Sequence, residues 1–448
     1  MKFRKSAAPG HIYRGFQPLL LALALAVLLV LASCGGSDAP AATRLLPDKV
    51  KVGLLAPLTG AASTAGRDWL RGATLAVEQI NAQGGVYVKD KNGRMQVELV
   101  LADDETSAEA GIRVATRLMT QDKVDMVTGG FSSPVTLASQ KVIAENKTPF
   151  LLTGASTPQV TRRTDIDTSW MFHYLEIGPY RGRDIARSLA EVVRPAIAPG
   201  RNLRVAFIYQ DSAFGEDFRQ GLPGLGIMGY AEAQKLPLEF VYVGKFKLGE
   251  TDFSRPMAEA KTARPDVVIP MGLEPETIDM VRQGRAAGID AVWGPVCSCA
   301  DSATYYKNMG QLGDLTLIEN SVILSDPPPG PAGAPATAFV KDYTQRWSQT
   351  PGFFAALQYD AMFILKRAIE DAGSLDKTKV RDALKKLDMP RQTVPVEGGR
   401  IRFDANNEVR FGSVIAQLRY DPALGESRPK VVWPKELATT QFQKPGRG

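Results

Sequence analysis

Histidine and cysteine are almost missing: the 448 residues hold two histidines and three cysteines. Past the amino-terminal segment described below, His173 is the one histidine left, so Ser/His/Asp or Cys/His catalysis would have to run through it. No G-x-S-x-G elbow and no P-loop accompany it. Among Trp170, Phe172 and Tyr174 it reads as a packed or hinge residue rather than a base. Two-histidine and four-cysteine metal spacings are missing as well. Asp404-Ala405-Asn406-Asn407 lacks the glycine and the distal glutamate of a calcium loop, and a turn explains it better. So few cysteines exclude a disulfide framework. Cys297-Ser298-Cys299 stays open as two loop thiols, one local bridge, or two ligands of a metal site without its other partners. No basic stripe interleaved with aromatics points to nucleic acid. Neither a metal nor a cofactor is expected.

Lys2, Arg4, Lys5 and Arg14 precede an apolar run from Leu19 to Ala32, too short to span a bilayer comfortably, the pattern of a signal peptide over residues 1–33. Leu31-Ala32-Ser33-Cys34 closes it like a bacterial lipobox, which makes Cys34 the expected lipidated first residue. Residues 34–47, rich in Gly, Ser, Ala and Pro, read as a flexible tether. Taking those four basic residues from the 54 in the chain leaves 50 against 48 acidic ones, so the remainder is nearly neutral. No later apolar run reaches membrane-spanning length.

What is present is a repeated strand, loop and helix. Val52 to Ala56 is a nearly unbroken apolar run, the mark of a strand covered on both faces. Pro57 ends it, Thr59, Gly60, Ser63, Thr64 and Gly66 follow as a loop, and Trp69, Ala73, Ala76, Val77 and Ile80 then stripe a helix that stops at Gly84-Gly85. Further strands are expected at Gln96 to Asp104, Val124 to Thr128 and Phe150 to Thr153. Three of these strands end in small polar loops, and right-handed crossovers place such loops on one edge of a parallel sheet, where open α/β folds bind ligands.

A second series starts with a helix near Tyr180 to Val193. It continues through strands at Leu203 to Gln210, Phe240 to Phe246, Val267 to Met271 and Ala291 to Gly294. Two such series imply an α/β protein of two doubly wound, Rossmann-like lobes joined by a multi-crossing hinge, with a ligand cleft between them. The proline run at 327–331 reads as a stiff crossing between lobes. The expected limits are 48–174 with 328–408 for the first lobe and 175–327 with 409–436 for the second, residues 437–448 being a loose tail. Arg400 to Phe403 and Gly412 to Arg419 read as a closing hairpin around the Asp404 to Glu408 turn.

PLTG after the first strand, then RGATLAVEQINAQGGV, TGGFSSPV, PFLLTGASTPQVT, IYQDSAFGEDF and YDAMFILKRAI resemble the type I periplasmic solute-binding proteins of the leucine/isoleucine/valine-binding branch. The resemblance covers most of the chain after about residue 48. It implies a lipid-anchored, extracytoplasmic receptor that hands its solute to the permease subunits of an ABC importer, works as a monomer and closes by a hinge.

From the residues themselves, Ser132, Ser133, Ala155, Ser156 and Thr157 offer hydroxyls and N–H groups that converge where a carboxylate could sit, without any arginine. By the resemblance, Ser133 or Ser132 with Ala155 and Thr157 corresponds to the group that holds an α-carboxylate. Phe214 stands where relatives carry a tyrosine, and Leu273, with Glu274 beside it, falls near another aromatic contact. Val296 takes the place of a glutamate that receives the ligand's ammonium group, and without it a buried cation would lack a partner. Glu274 or Asp301 is the alternative partner. The expected solute is therefore a small amino acid or an aromatic or aliphatic acid. The rival readings are a sensory ligand-binding module, which should carry a transmembrane helix or a signalling domain, and an α/β hydrolase, which should carry a nucleophile and a base.

Overall fold

A computed structural model describes residues 44–297, 301–328, 330 and 333–445. Strand β1 (Leu45–Ala56) shows why two layers of helix are needed. Val50, Val52, Leu54 and Ala56 point into one apolar core, whereas Leu55 enters a second core on the opposite face. Alternate side chains of a strand face opposite ways, so an uninterrupted apolar run can only be satisfied by cover on both sides.

β2 (Val86–Val88), β3 (Gly93–Asp103), β4 (Met126–Gly129), β5 (Phe150–Leu152) and β6 (Met171–His173) complete the first sheet. Its order is β2-β3-β1-β4-β5-β6, parallel except for β2. The Ser63–Ala82 and Phe353–Ala372 helices cover one face together, and the Ala108–Arg117 and Ser133–Glu145 helices cover the other. His173 is fully buried and carries the sheet one step further: its N–H donates to the Asn407 carbonyl at 2.8 Å, and its carbonyl accepts from Val409 N–H at 3.1 Å.

β7 (Leu203–Gln210), β8 (Leu238–Phe246), β9 (Val267–Met271) and β10 (Val292–Trp293) form the second sheet, in the order β10-β9-β7-β8 and parallel throughout. β7 repeats the two-sided logic of β1, with Val205, Phe207 and Tyr209 in one core and Ala206 and Ile208 in another. The chain therefore builds two doubly wound lobes. Among the described residues, no helix is long and apolar enough to cross a membrane.

The carboxyl-terminal third departs from expectation. β11 (Leu317–Asn320) pairs antiparallel with β14 (Val414–Asp421), which pairs in turn with β15 (Glu426–Trp433); β12 (Met389–Pro390) pairs with β13 (Arg400–Ile401). Arg400 to Phe403 and Gly412 to Arg419 are thus not one hairpin. Arg400 and Ile401 meet Met389 and Pro390, while β14 has crossed to the second lobe. In this third of the chain, among the described residues, the β14–β15 pair is the one joined by a short turn. β11 is too short, and carries the polar residues Glu319 and Asn320, to stand out as a strand; the Val296–Ile318 bridge ties it to the second sheet. The segment after Trp433 is held by hydrogen bonds as far as Gln443. Gln443 N–H donates to the Gln417 side-chain oxygen at 2.8 Å, and the Gln417 amide donates back to the Gln443 carbonyl at 2.9 Å.

Two crossings between the lobes touch at Glu176. Its carboxylate accepts Phe411 N–H at 2.9 Å and lies 3.3 Å from Arg410. Burial pushes its pKa up to about 8 in spite of Arg410.

Candidate functional site: a cavity between the lobes

Gly129, at the end of β4, has φ of 111°, and a Cβ there would lie 2.1 Å from the Leu55 carbonyl oxygen. Only glycine fits that turn, and it brings the next residues across the end of β1. Phe131 and Ser132 follow, and the Ser133–Glu145 helix starts with Pro134 in its first turn. From β5, Gly154 and Ser156 reach the same place, the Ala155 N–H being tied to the Gly130 carbonyl at 2.7 Å. Phe131, Phe354 and Trp69 stack edge to face, with centroids 5.0 to 6.0 Å apart, and the first two present an apolar wall to the cavity.

The second lobe supplies Arg181, Gln210, Phe214, Leu273 and Cys297. About 20 Å³ remains among these side chains. That is room for one water.

Three buried polar atoms here have no hydrogen-bond partner: Ser133 Oγ, Ser156 Oγ and Gln210 Nε2. A buried polar atom left unpaired is costly, and three converging on one cavity point to a ligand that pairs them. Arg181 reaches Glu319 of β11 through Nε, at 3.1 and 3.0 Å from the two carboxylate oxygens, and through a terminal nitrogen at 2.5 Å. Its guanidinium also lies 5.2 Å from the centre of the Phe218 ring.

Of the residues singled out from the sequence, Ser132, Ser133, Ser156, Phe214 and Leu273 line the cavity. Ala155 turns into the core behind it, and Thr157, fully buried, accepts the Gln159 N–H at 3.3 Å and faces the Asp217 carboxyl on the other lobe. Val296 does not line it: its side chain packs with Trp293 and Ile318, and its N–H donates to the Leu317 carbonyl at 3.0 Å. The next residue, Cys297, takes that place; it is disulfide-bonded, and the other cysteines, Cys34 and Cys299, lie outside the described residues. Glu274 also stands off the cavity, accepting the Ser302 hydroxyl at 2.9 Å, with its pKa raised to about 7 by burial. The PLTG loop of β1 is held away from it, Asp103 accepting Leu58 N–H at 2.9 Å and the Thr59 hydroxyl at 2.8 Å.

The expectation of an arginine-free site is corrected by Arg181. Arg181, Gln210, Phe131, Phe354 and Cys297 were all missed. The one available signal was Arg181 itself, a charge on the buried face of the Gly178–Ser188 helix.

Two parallel-sheet lobes that meet on a buried cavity of hydroxyls and aromatic rings, with no paired nucleophile and base among the described lining residues, are the build of a solute receptor. The chain belongs to the periplasmic binding protein family, whose sequence profile matches residues 49–421, and within it to the type I, leucine/isoleucine/valine-binding branch; it is a binder and not an enzyme. An amino acid binding protein of Pseudomonas aeruginosa is 30% identical over 276 residues, covering 62% of this chain and 65% of that protein. The Leu/Ile/Val-binding protein homolog 7 of Brucella suis biovar 1 is 24% identical over 440 residues, or 95% of this chain and 99% of the relative. A solute binding protein of an ABC transporter from R. palustris, solved in complex with benzoate, shares the fold with a TM-score of 0.68 and 18% identity, covering 85% and 95% of the two chains.

Proposed function

We propose that this chain is the extracytoplasmic receptor of an ABC importer and captures a small carboxylate-bearing solute, an aromatic or aliphatic acid in preference to an α-amino acid. The observation that carries this reading is the pair of unpartnered serine hydroxyls, Ser133 and Ser156, beside aromatic walls, with no acidic side chain among the described lining residues. A carboxylate satisfies both hydroxyls, whereas an ammonium group would be buried without a counter-charge. The benzoate in the R. palustris protein supports the class; the amino-acid names of the other two relatives mark the alternative.

A thermal-shift and calorimetry screen tests it. Benzoates and branched aliphatic acids are expected to stabilise the protein more than leucine or valine, by roughly 2.7 kcal/mol at about 100 times the dissociation constant. Ser133→Ala should remove about 1.5 to 3 kcal/mol of binding, the worth of a hydrogen bond to a charged group. Leucine or valine as the strongest stabiliser would defeat the preference.

We place the hinge at about 174–178, 321–328 and 409–413, with the lobe limits otherwise as the sequence suggests. Cys34 lies outside the described residues, and its lipidation is part of this proposal. Mass spectrometry should find a diacyl or triacyl group on it, and Cys34→Ala should release the protein from membranes; a wild-type protein found free in the soluble fraction would rule the anchor out.

A further inference from the structure

We propose that Gln210 selects a ligand with a second, uncharged hydrogen-bond acceptor, such as a hydroxyl or keto oxygen, at the end of the molecule that meets the second lobe. The inference rests on the reading that the site takes a carboxylate.

Gln210 is the last residue of β7 and only 2% exposed. Its Oε1 accepts the Ser212 hydroxyl at 3.3 Å, and its Nε2 is the end that pairs with nothing in the protein. An amide N–H donates and cannot accept, so the group that completes it must offer a lone pair.

Charge narrows the class further. The positive side chain among the second-lobe lining residues, Arg181, is already paired with Glu319, and that pair is buried. A second carboxylate on the ligand would therefore meet no uncompensated cation, and an ammonium no acid. Burying either charge unpaired is far costlier than burying a neutral hydroxyl or ketone that accepts one hydrogen bond. Phe131, Phe354, Phe214 and Leu273 line the same cavity, an apolar surface for a ring or a branched chain.

Calorimetry with two matched sets separates the possibilities. The first is benzoate, its three monohydroxy isomers and benzene-1,4-dicarboxylate; the second is 4-methylpentanoate, its 2-oxo derivative and leucine. In the wild-type protein at least one hydroxy or oxo acid should bind tenfold or more tightly than its unsubstituted parent, and the dicarboxylate and leucine should bind more weakly than that acid. Gln210→Leu should erase the tenfold preference while leaving parent affinity equal or better. Its ligand-free melting temperature should not fall, because an unpaired amide is replaced by an apolar group of similar size. If acids bind but the hydroxy or oxo preference is missing, or persists in Gln210→Leu, this inference fails and the carboxylate reading stands. If no acid binds the wild type, both fail.

Discussion

Arg181→Met is expected to cost about 3 to 5 kcal/mol of stability, the usual result of stranding one member of a buried ion pair. The Arg181 and Glu319 side chains are 4% and 0% exposed, so water cannot take over the lost contact. Glu319 sits in the middle of the second lobe: β11 pairs with β14, and the Glu319 N–H donates to the Val296 carbonyl at 2.8 Å. An unpaired carboxylate there must either stay charged in an apolar surrounding or take up a proton, and both routes disfavour the fold near neutral pH. Arg181→Met combined with Glu319→Leu should recover most of the loss, because replacing both charges by apolar groups is often neutral. Scanning calorimetry of the wild type and both variants measures this. A single variant that melts within a degree of the wild type, or a double variant no better than the single, would show that the pair does not hold the lobe together.

Ligand affinity is expected to fall as pH rises from about 5 to about 8. Asp68, on the Ser63–Ala82 helix of the first lobe, accepts the Tyr343 hydroxyl at 2.7 Å and the N–H groups of Gly352 and Ala355 at 3.0 and 3.3 Å. Asp301, on the second lobe, accepts from the Tyr306 hydroxyl and the Asn320 amide, and the Phe353 N–H of the first lobe lies close enough to act on its carboxyl. Gly352 is pressed so close to Asp301 that a Cβ would lie 2.3 Å from its carbonyl oxygen. Glu274 completes the group, repelled by both acids, with Arg67 and Arg71 the cations that act on it and on Asp68.

Burial raises Asp68 to about 6 and Glu274 and Asp301 to about 7, with mutual repulsion adding to the two second-lobe acids. Asp217, raised to about 7 by burial and facing Thr157, acts in the same direction. A carboxyl whose pKa is higher in the closed form takes up a proton on closing. Its contribution is complete below the ordinary carboxylate range and is lost as pH climbs through 6 to 7. Each such proton changes the closing equilibrium by up to about tenfold per pH unit within that window. Calorimetry in two buffers of different ionisation enthalpy should detect proton uptake on binding near pH 6. Asp301→Asn, which imitates the neutral acid, should flatten the profile and raise affinity at pH 8. An affinity constant from pH 5 to 8, or an unchanged slope in Asp301→Asn, would contradict proton-linked closure.

How far the site could be read from residues alone depended on what kind of signal each part left. Val52 to Ala56, Leu203 to Gln210 and Val267 to Met271 announce two-sided strands because such a strand is apolar almost throughout. The glycine and hydroxyl loops after β4 and β5 announce a binding rim because a tight turn at the carboxyl end of a parallel strand needs glycine, and the helix beginning beyond it exposes N–H groups. These are local demands, met within a few residues, so the lobed α/β architecture and Ser132, Ser133 and Ser156 at the cavity were legible.

Tertiary structure decided the other wall. Whether Val296 or Cys297 faces the cavity is a matter of strand parity, in which a shift of one residue exchanges core for cleft. Arg181 becomes a buried lining residue only because β11, from a distant part of the chain, brings Glu319 to neutralise it. Gln210 is read as a donor only once the fold leaves its Nε2 buried without a partner. The acids Asp68, Glu274 and Asp301 lie far apart along the chain and become one group when the lobes meet. The sequence by itself determined the elements and the small-residue loops, because backbone geometry and burial constrain each residue where it stands. Which charges are paired, which polar atoms are left for a ligand, and where closure costs or takes up protons were decided by long-range pairing, because those energies belong to contacts between segments and leave no mark on either segment alone.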